Sequence, residues 1–201
     1  MTDDPTLFFV KGLLLGALLA APVGVRGAAL LSRSRYDGFS VGIAAALGGA
    51  LADLVYASIA GYLVAGLLGG WIAENDWIRQ FGAMMLLWLG WQAYNAPLIA
   101  PEPAASRTSV PQALLHAFMP VAANPTGLVA FATVFMALGV DRFGADAAAN
   151  LALGVFLGAV GWGIALAASQ AAVDASGQRA INRTAAVLLG LVAFVVAGGF
   201  V

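Results

Sequence analysis

Apolar residues in this chain come in long unbroken blocks, and the polar positions collect between them. A helix needs about 20 apolar residues to cross the roughly 30 Å hydrocarbon layer of a bilayer. By that measure the blocks at 7–31, 39–68, 77–98, 112–138, 147–173 and 184–201 predict six membrane-crossing helices. The connections are short, and the longest, 96–111, is rich in proline and carries Glu102 and Arg107. Transmembrane β-strands would alternate apolar and polar residues over about ten positions, and no block here alternates. The pattern therefore predicts an all-α membrane protein.

Composition strengthens that reading. Of 201 residues, 62% are hydrophobic and 9% are charged, and the mean hydropathy is +0.92. A soluble domain carries roughly 25% charged residues, so lipid must face most of this surface. The absence of cysteine excludes disulfides, thiol catalysis and thiolate metal sites. The first block follows Met1-Thr2-Asp3-Asp4-Pro5, an acidic start unlike the basic one of a cleavable signal peptide, and is read as a retained helix.

Net charge matters less than where the charges sit. Arg33, Arg35, Arg107, Arg179 and Arg183 fall in the odd-numbered connections. The even-numbered side holds Arg79 and Arg142 among Asp3, Asp4, Glu74, Asp76, Asp141 and Asp146. Because cytoplasmic loops carry the excess of Lys and Arg, five against two places the odd-numbered connections in the cytoplasm. Both termini are then outside, in a multi-pass protein of a bacterial inner membrane.

A weak internal repeat runs through the chain. Ala21-Pro22-Val23-Gly24 in the first span resembles Asn124-Pro125-Thr126-Gly127 in the fourth. Leu47-Gly48-Gly49-Ala50-Leu51 in the second resembles Leu153-Gly154-Val155-Phe156-Leu157 in the fifth. The offsets, about 103 and 106 residues, share one register. Three helices per half forces the halves to cross in opposite senses, as in the inverted repeats of many secondary transporters. The division is thus 1–95, a connecting loop at 96–111, and 112–201, with the first and fourth spans broken at Pro22 and Pro125.

Chemistry concentrates at those breaks and at one acid. Asp53 stands mid-span in the second helix, where an ionised carboxylate costs about 2.5–3.5 kcal/mol to insert. It either faces a cavity or partner on a solute or proton path, or is a buried protonated acid bonded to a neighbouring helix. Arg26, just past Pro22 and Gly24, either snorkels to the interface or balances Asp53 or binds a carboxylate with its planar fork. Proline removes a backbone donor, and a broken helix is tolerated in lipid only where protein or cavity water satisfies the freed groups. Pro22, Gly24, Pro125 and Gly127 are accordingly expected to line a central site, with Asn124 adding an amide.

Other features read as structural. Lys11 and the lone His116 suit interfacial positions, and Trp71, Trp77, Trp88, Trp91 and Tyr94 suit anchoring or packing around the third span. Gly12-x-x-x-Gly16, Gly38-x-x-x-Gly42 and Gly154-x-x-x-Gly158 permit close helix approach without assigning a dimer face. No nucleotide-binding glycine loop, paired His/Glu metal motif or serine–base pair is present, so no cofactor, metal or catalytic residue is expected.

The run Ala21-Pro22-Val23-Gly24-Val25-Arg26-Gly27, with Ser32-Arg33-Ser34-Arg35-Tyr36-Asp37-Gly38 after it, resembles the first signature of the LysE-type (lysine exporter) amino-acid translocators. Gly48 to Tyr56 with Asp53 resembles the family's acidic second helix. Ala123-Asn124-Pro125-Thr126 with Phe131 is similar to its Asn-Pro-Lys segment, and Gly154 to Gly158 with Trp162 to its fifth helix. Many members carry proline where Val25 stands and lysine where Thr126 stands, so substrate identity is not carried over. The resemblance implies six helices, export driven by the proton gradient, dimerisation, and functional roles for Pro22, Asp53, Asn124 and Pro125.

The leading expectation is a secondary exporter of amino acids or similar zwitterions, with the solute, the bilayer and a second copy as partners and no nucleic acid. A cation or metal exporter using Asp53 would need more oxygen ligands than the spans display. A non-transporting scaffold would have no use for matched breaks around a buried acid, and an enzyme would lack its nucleophile–base pair.

Overall fold

The structure is a computed structural model that describes residues 5–68, 76–103, 107–138, 144–169 and 173–198. Those residues form eight α-helices and no strand: α1 (Pro5–Ala20), α2 (Val25–Tyr36), α3 (Phe39–Leu63), α4 (Asp76–Tyr94), α5 (Val110–Ala122), α6 (Pro125–Ala137), α7 (Gly144–Ala168) and α8 (Ala175–Ala197). A π-helical turn, Val64–Leu68, extends α3. The all-α membrane architecture read from the hydropathy blocks is the observed one.

Three stretches, Phe39–Gly66, Ala145–Ala168 and Ala175–Ala197, are long and apolar enough to cross a bilayer alone. Two bent pairs qualify jointly: α1 with α2, bent by 83°, and α5 with α6, bent by 68°. That makes five spans among the described residues against the six expected. The third block does form a helix, α4, but with Arg79, Gln80 and Gln92 in it, it is not among the stretches apolar enough to cross alone.

Some boundaries move for local reasons. Helix α4 ends at Tyr94 rather than 98, because Pro97 disfavours helical geometry in the residue before it. Helix α8 starts at Ala175, nine residues earlier than the apolar block, because the Asp174 carboxylate caps it by accepting from the Gly177 N–H at 2.8 Å. Ser109 and Gln112 form a capping box that starts α5, with Pro111 in its first turn. The corner between α2 and α3 turns on Gly38, whose φ of 112° a side chain would resist.

The glycine spacings find a use within the chain. A Cβ at Gly12 would collide with the Leu151 carbonyl, one at Gly16 with that of Val155, and one at Gly158 with that of Leu13. The Gly12/Gly16 face of α1 and the Gly154/Gly158 face of α7 therefore form one intramolecular seam, close enough for backbone dispersion contact. Gly48 lets α5 approach α3 in the same way, at Leu114. Helices α1 and α7 thus pack as a pair, as do α3 and α5, while α3 also packs on α7 and α4 on α8. One apolar core, including Tyr56, Leu86, Phe135, Leu151 and Leu189, joins both halves.

Polar ties gather the basic connections at one end of the bundle. The Tyr36 hydroxyl donates to the Pro101 carbonyl at 3.3 Å, and Ser32 donates to that of Glu102. Arg33 reaches the Ala113 carbonyl at 3.1 Å. The buried Gln178 amide clasps both backbone groups of Ile99, at 3.2 and 3.0 Å. Asp3, Asp4, Trp71, Glu74, Asp141 and Arg142 lie outside the described residues, as do the side chains of Asp76 and Arg79.

Candidate functional site

Two breaks and one ion pair build the site. Between α1 and α2, residues 21–24 leave the helix, and Pro22 has no N–H to give. Val23 is wholly buried there, so its backbone needs a partner. Asn182 of α8, only 2% exposed, supplies it. Its Oδ1 accepts from the Val23 N–H at 2.6 Å, and its Nδ2 donates to the Val23 carbonyl at 3.4 Å.

Between α5 and α6 the break is shorter. Asn124 caps α6 by accepting from the Thr126 N–H at 3.1 Å, and the Thr126 hydroxyl donates to the same oxygen. Pro125 occupies the first helical position, where a missing N–H costs nothing. The Tyr56 hydroxyl on α3 donates to the Ala122 carbonyl at 2.7 Å, taking up an end group of α5. The Tyr56 ring also lies where a Cβ on Gly127 would stand, 2.8 Å away.

Arg26, in the first turn of α2, reaches across to Asp53 on α3. Two hydrogen bonds join them, Nη2 to Oδ2 at 2.8 Å and Nη1 to Oδ1 at 3.3 Å, the fork-to-fork arrangement that suits a guanidinium and a carboxylate. The acid side chain is 13% exposed and the arginine 43%. Gly49, one turn before Asp53, makes the reach possible: a Cβ there would sit 2.7 Å from Arg26 Nε. The pair is the only salt bridge among the described residues.

Both breaks and the pair open on one cavity of about 780 Å³, walled by α1 to α7. Among the described residues its charged groups are Arg26, Arg33 and Asp53, with His116 as a further titratable side chain. Trp88 and Trp162 contribute aromatic surface. The Trp162 indole N–H is buried without a hydrogen-bond partner among the described residues. No three His, Asp or Glu side chains converge there or elsewhere in the described residues.

A family model described as LysE type translocator matches residues 17–200. The chain belongs to that family. No curated protein and no solved structure matches it. This LysE-type chain is a multi-pass membrane protein of a translocator family, and its matched region takes in both breaks and the ion pair.

Of the residues singled out in the sequence, Arg26, Asp53, Asn124, Pro22 and Gly127 line this cavity together. Gly24 and Pro125 do not. Gly24 opposes Ala96 of the connecting segment instead, and Pro125 is an exposed first residue of α6. Lys11 sits over the Phe8 ring at 5.4 Å, away from the cavity lining. His116, expected at an interface, is exposed on the cavity wall.

Sequence reasoning missed Asn182, Tyr56 and Gly49. Asn182 was hidden because the last apolar block begins at 184, so that it reads as part of a polar connection. Tyr56 follows Asp53 by three residues and so shares its helix face. Gly49 had no signal separating it from 24 other glycines.

Proposed function

We propose that this protein is a secondary exporter of amino acids or similar small zwitterions, driven by the proton gradient. The bidentate Arg26–Asp53 pair inside the cavity carries the proposal. A free amino acid bears the same two charges, so it can replace the internal pair by partner exchange. Its carboxylate takes the Arg26 fork and its ammonium takes Asp53. Neither protein charge is left alone in the exchange, which avoids the large penalty of an unpaired charge in a low-dielectric site. When the cavity empties without re-pairing, a proton neutralises the largely desolvated Asp53 while the more exposed Arg26 keeps its charge against cavity water, and that alternation couples proton and solute.

The balance of charge in the cavity favours a carboxylate-bearing solute over a bare cation. Asp53 offsets Arg26, and Arg33 leaves the lining with an excess of positive charge. A cation exporter would face that excess.

In this reading 1–95 and 112–201 are inverted repeats joined by 96–111, and α4 counts as the sixth span. The exchange of partners supports it: the first rod of each broken span packs on the middle helix of the other half, α1 on α7 and α5 on α3. The protein works as a homodimer in a bacterial inner membrane, with the arginine-rich end in the cytoplasm and both termini outside.

Proteoliposomes with an imposed pH gradient test the mechanism, using radiolabelled neutral, acidic and basic amino acids in turn. Wild-type protein is expected to drive gradient-dependent flux of at least one neutral or acidic amino acid. Asp53→Asn keeps the shape and one hydrogen bond to Arg26 but cannot cycle a proton, so it inserts normally and loses gradient-driven flux. Unchanged flux in that variant overturns the coupling role.

A further inference from the structure

A second, smaller cleft of about 220 Å³ lies between the C-terminal end of α4 and the N-terminal turns of α8. Arg179 and Arg183 line it with Tyr94, Asn95 and Asn182. The two arginines are one turn apart on α8 and therefore project on the same face. Neither makes a salt bridge among the described residues. Arg183 stacks over the Tyr94 ring, 5.7 Å from its centre, which leaves the edge of its fork free to donate. Asp174 is the acid that Arg179 feels, but that carboxylate is already engaged by the Gly177 N–H and the Ser176 hydroxyl at the start of α8. No acidic side chain among the described residues lines the cleft.

We infer that this cleft holds the phosphate of an anionic phospholipid, gripped by Arg179 and Arg183. Two guanidinium forks facing one cleft match the oxygens of a phosphate diester. The surface that continues from the cleft decides between a lipid and a soluble anion. On α8 the arginine face runs on through Val187 and Leu191, and on α4 the Tyr94 face runs back through Trp91 and Leu87, all four exposed. Helices α4 and α8 pack side by side, so the strip is charged at one end and apolar along its length, as a phospholipid is. Basic recesses between membrane helices bind lipid head groups for this reason.

The site has a structural consequence for the larger cavity. Asn182 is among the residues lining the cleft, and its amide holds Val23 at the α1–α2 corner. A head group seated against Asn182 steadies the residue that fixes that corner.

Purified full-length protein in nanodiscs tests it, comparing phosphatidylglycerol with phosphatidylcholine and, in a third arm, inorganic phosphate added to the phosphatidylcholine sample. Lipid retained through detergent exchange is counted by native mass spectrometry, and the thermal midpoint is followed by tryptophan fluorescence. Wild-type protein is expected to retain phosphatidylglycerol and to melt higher in its presence. Arg179→Gln with Arg183→Gln, both at exposed positions, loses roughly twenty-five-fold in affinity, about fivefold for each arginine. Arg35→Gln, at another exposed arginine on the same end, retains the lipid. Equal retention by the double variant overturns the assignment, and so does equal loss in Arg35→Gln, which reports only general surface charge. Stabilisation by inorganic phosphate as strong as by the lipid overturns the lipid in favour of a free anion.

Discussion

The break between α1 and α2 spans four residues and is buried at Val23, whereas the break between α5 and α6 spans two and is exposed from Ala123 to Thr126. The first is satisfied from afar: Asn182, 159 positions away, supplies both a donor and an acceptor. The second is satisfied mainly at home, by Asn124 capping the helix that follows it, with Tyr56 closing the last turn before it. A local cap survives rearrangement of its surroundings, because donor and acceptor move together. A distant clasp does not. The first corner is therefore a product of the whole fold, and the second is written into four consecutive residues.

The largest expected effect follows from removing the distant clasp. Asn182→Leu fills similar volume but leaves the buried Val23 N–H and carbonyl without partners. At about 1–3 kcal/mol for each of the two stranded groups, the loss is about 2–6 kcal/mol, read from unfolding in mixed detergent with tryptophan fluorescence. At the second break, Asn124→Ala costs about 1 kcal/mol and Tyr56→Phe about 1 kcal/mol, while Asn124→Ser keeps the cap and most of the stability. If Asn124→Ala proves as costly as Asn182→Leu, the contrast between a distant and a local anchor is wrong.

That contrast also marks where a sequence speaks. Whatever is local in the chain was readable: the apolar blocks, the Pro22 break, and the Asn124-Pro125 pair that ends one helix and begins the next. The meeting of Arg26 and Asp53 was among the readings open beforehand, since a charge in mid-span needs a partner. Asn182 and Gln178 were not readable, because polar residues at 178–183 look like a loop until Asp174 is seen to start the helix beneath them. Gly49 matters only because Arg26 crosses it, and no spacing within α3 announces a side chain arriving from another helix. Helix α4 shows the converse, a block read as a span whose helix is not apolar enough to count among the candidate spans.

The smallest expected effect concerns a second local cap, which serves as a control on the first. Asp174 and Asn124 each accept a backbone N–H at the start of a helix, at 2.8 and 3.1 Å. Asn124 is neutral, so its cap does not change with pH. Asp174 is charged, and the Gly177 N–H, followed by the Ser176 hydroxyl and Arg179, holds its carboxyl below the ordinary value of 3.8. A carboxyl depressed in the folded state contributes stability that is fully present above its unfolded value and is lost as pH falls through the folded one. Asp174→Asn still caps but carries no charge, so wild type should unfold later than the variant by the same margin at pH 7 and pH 5. Below about pH 4 the margin should close as the folded protein takes up its proton. Because Asp174 is fully exposed, added salt should narrow the margin at pH 7 as well. A margin that persists unchanged at pH 3 would mean that Asp174 acts through hydrogen-bond geometry alone, and the two local caps would then differ in nothing but position.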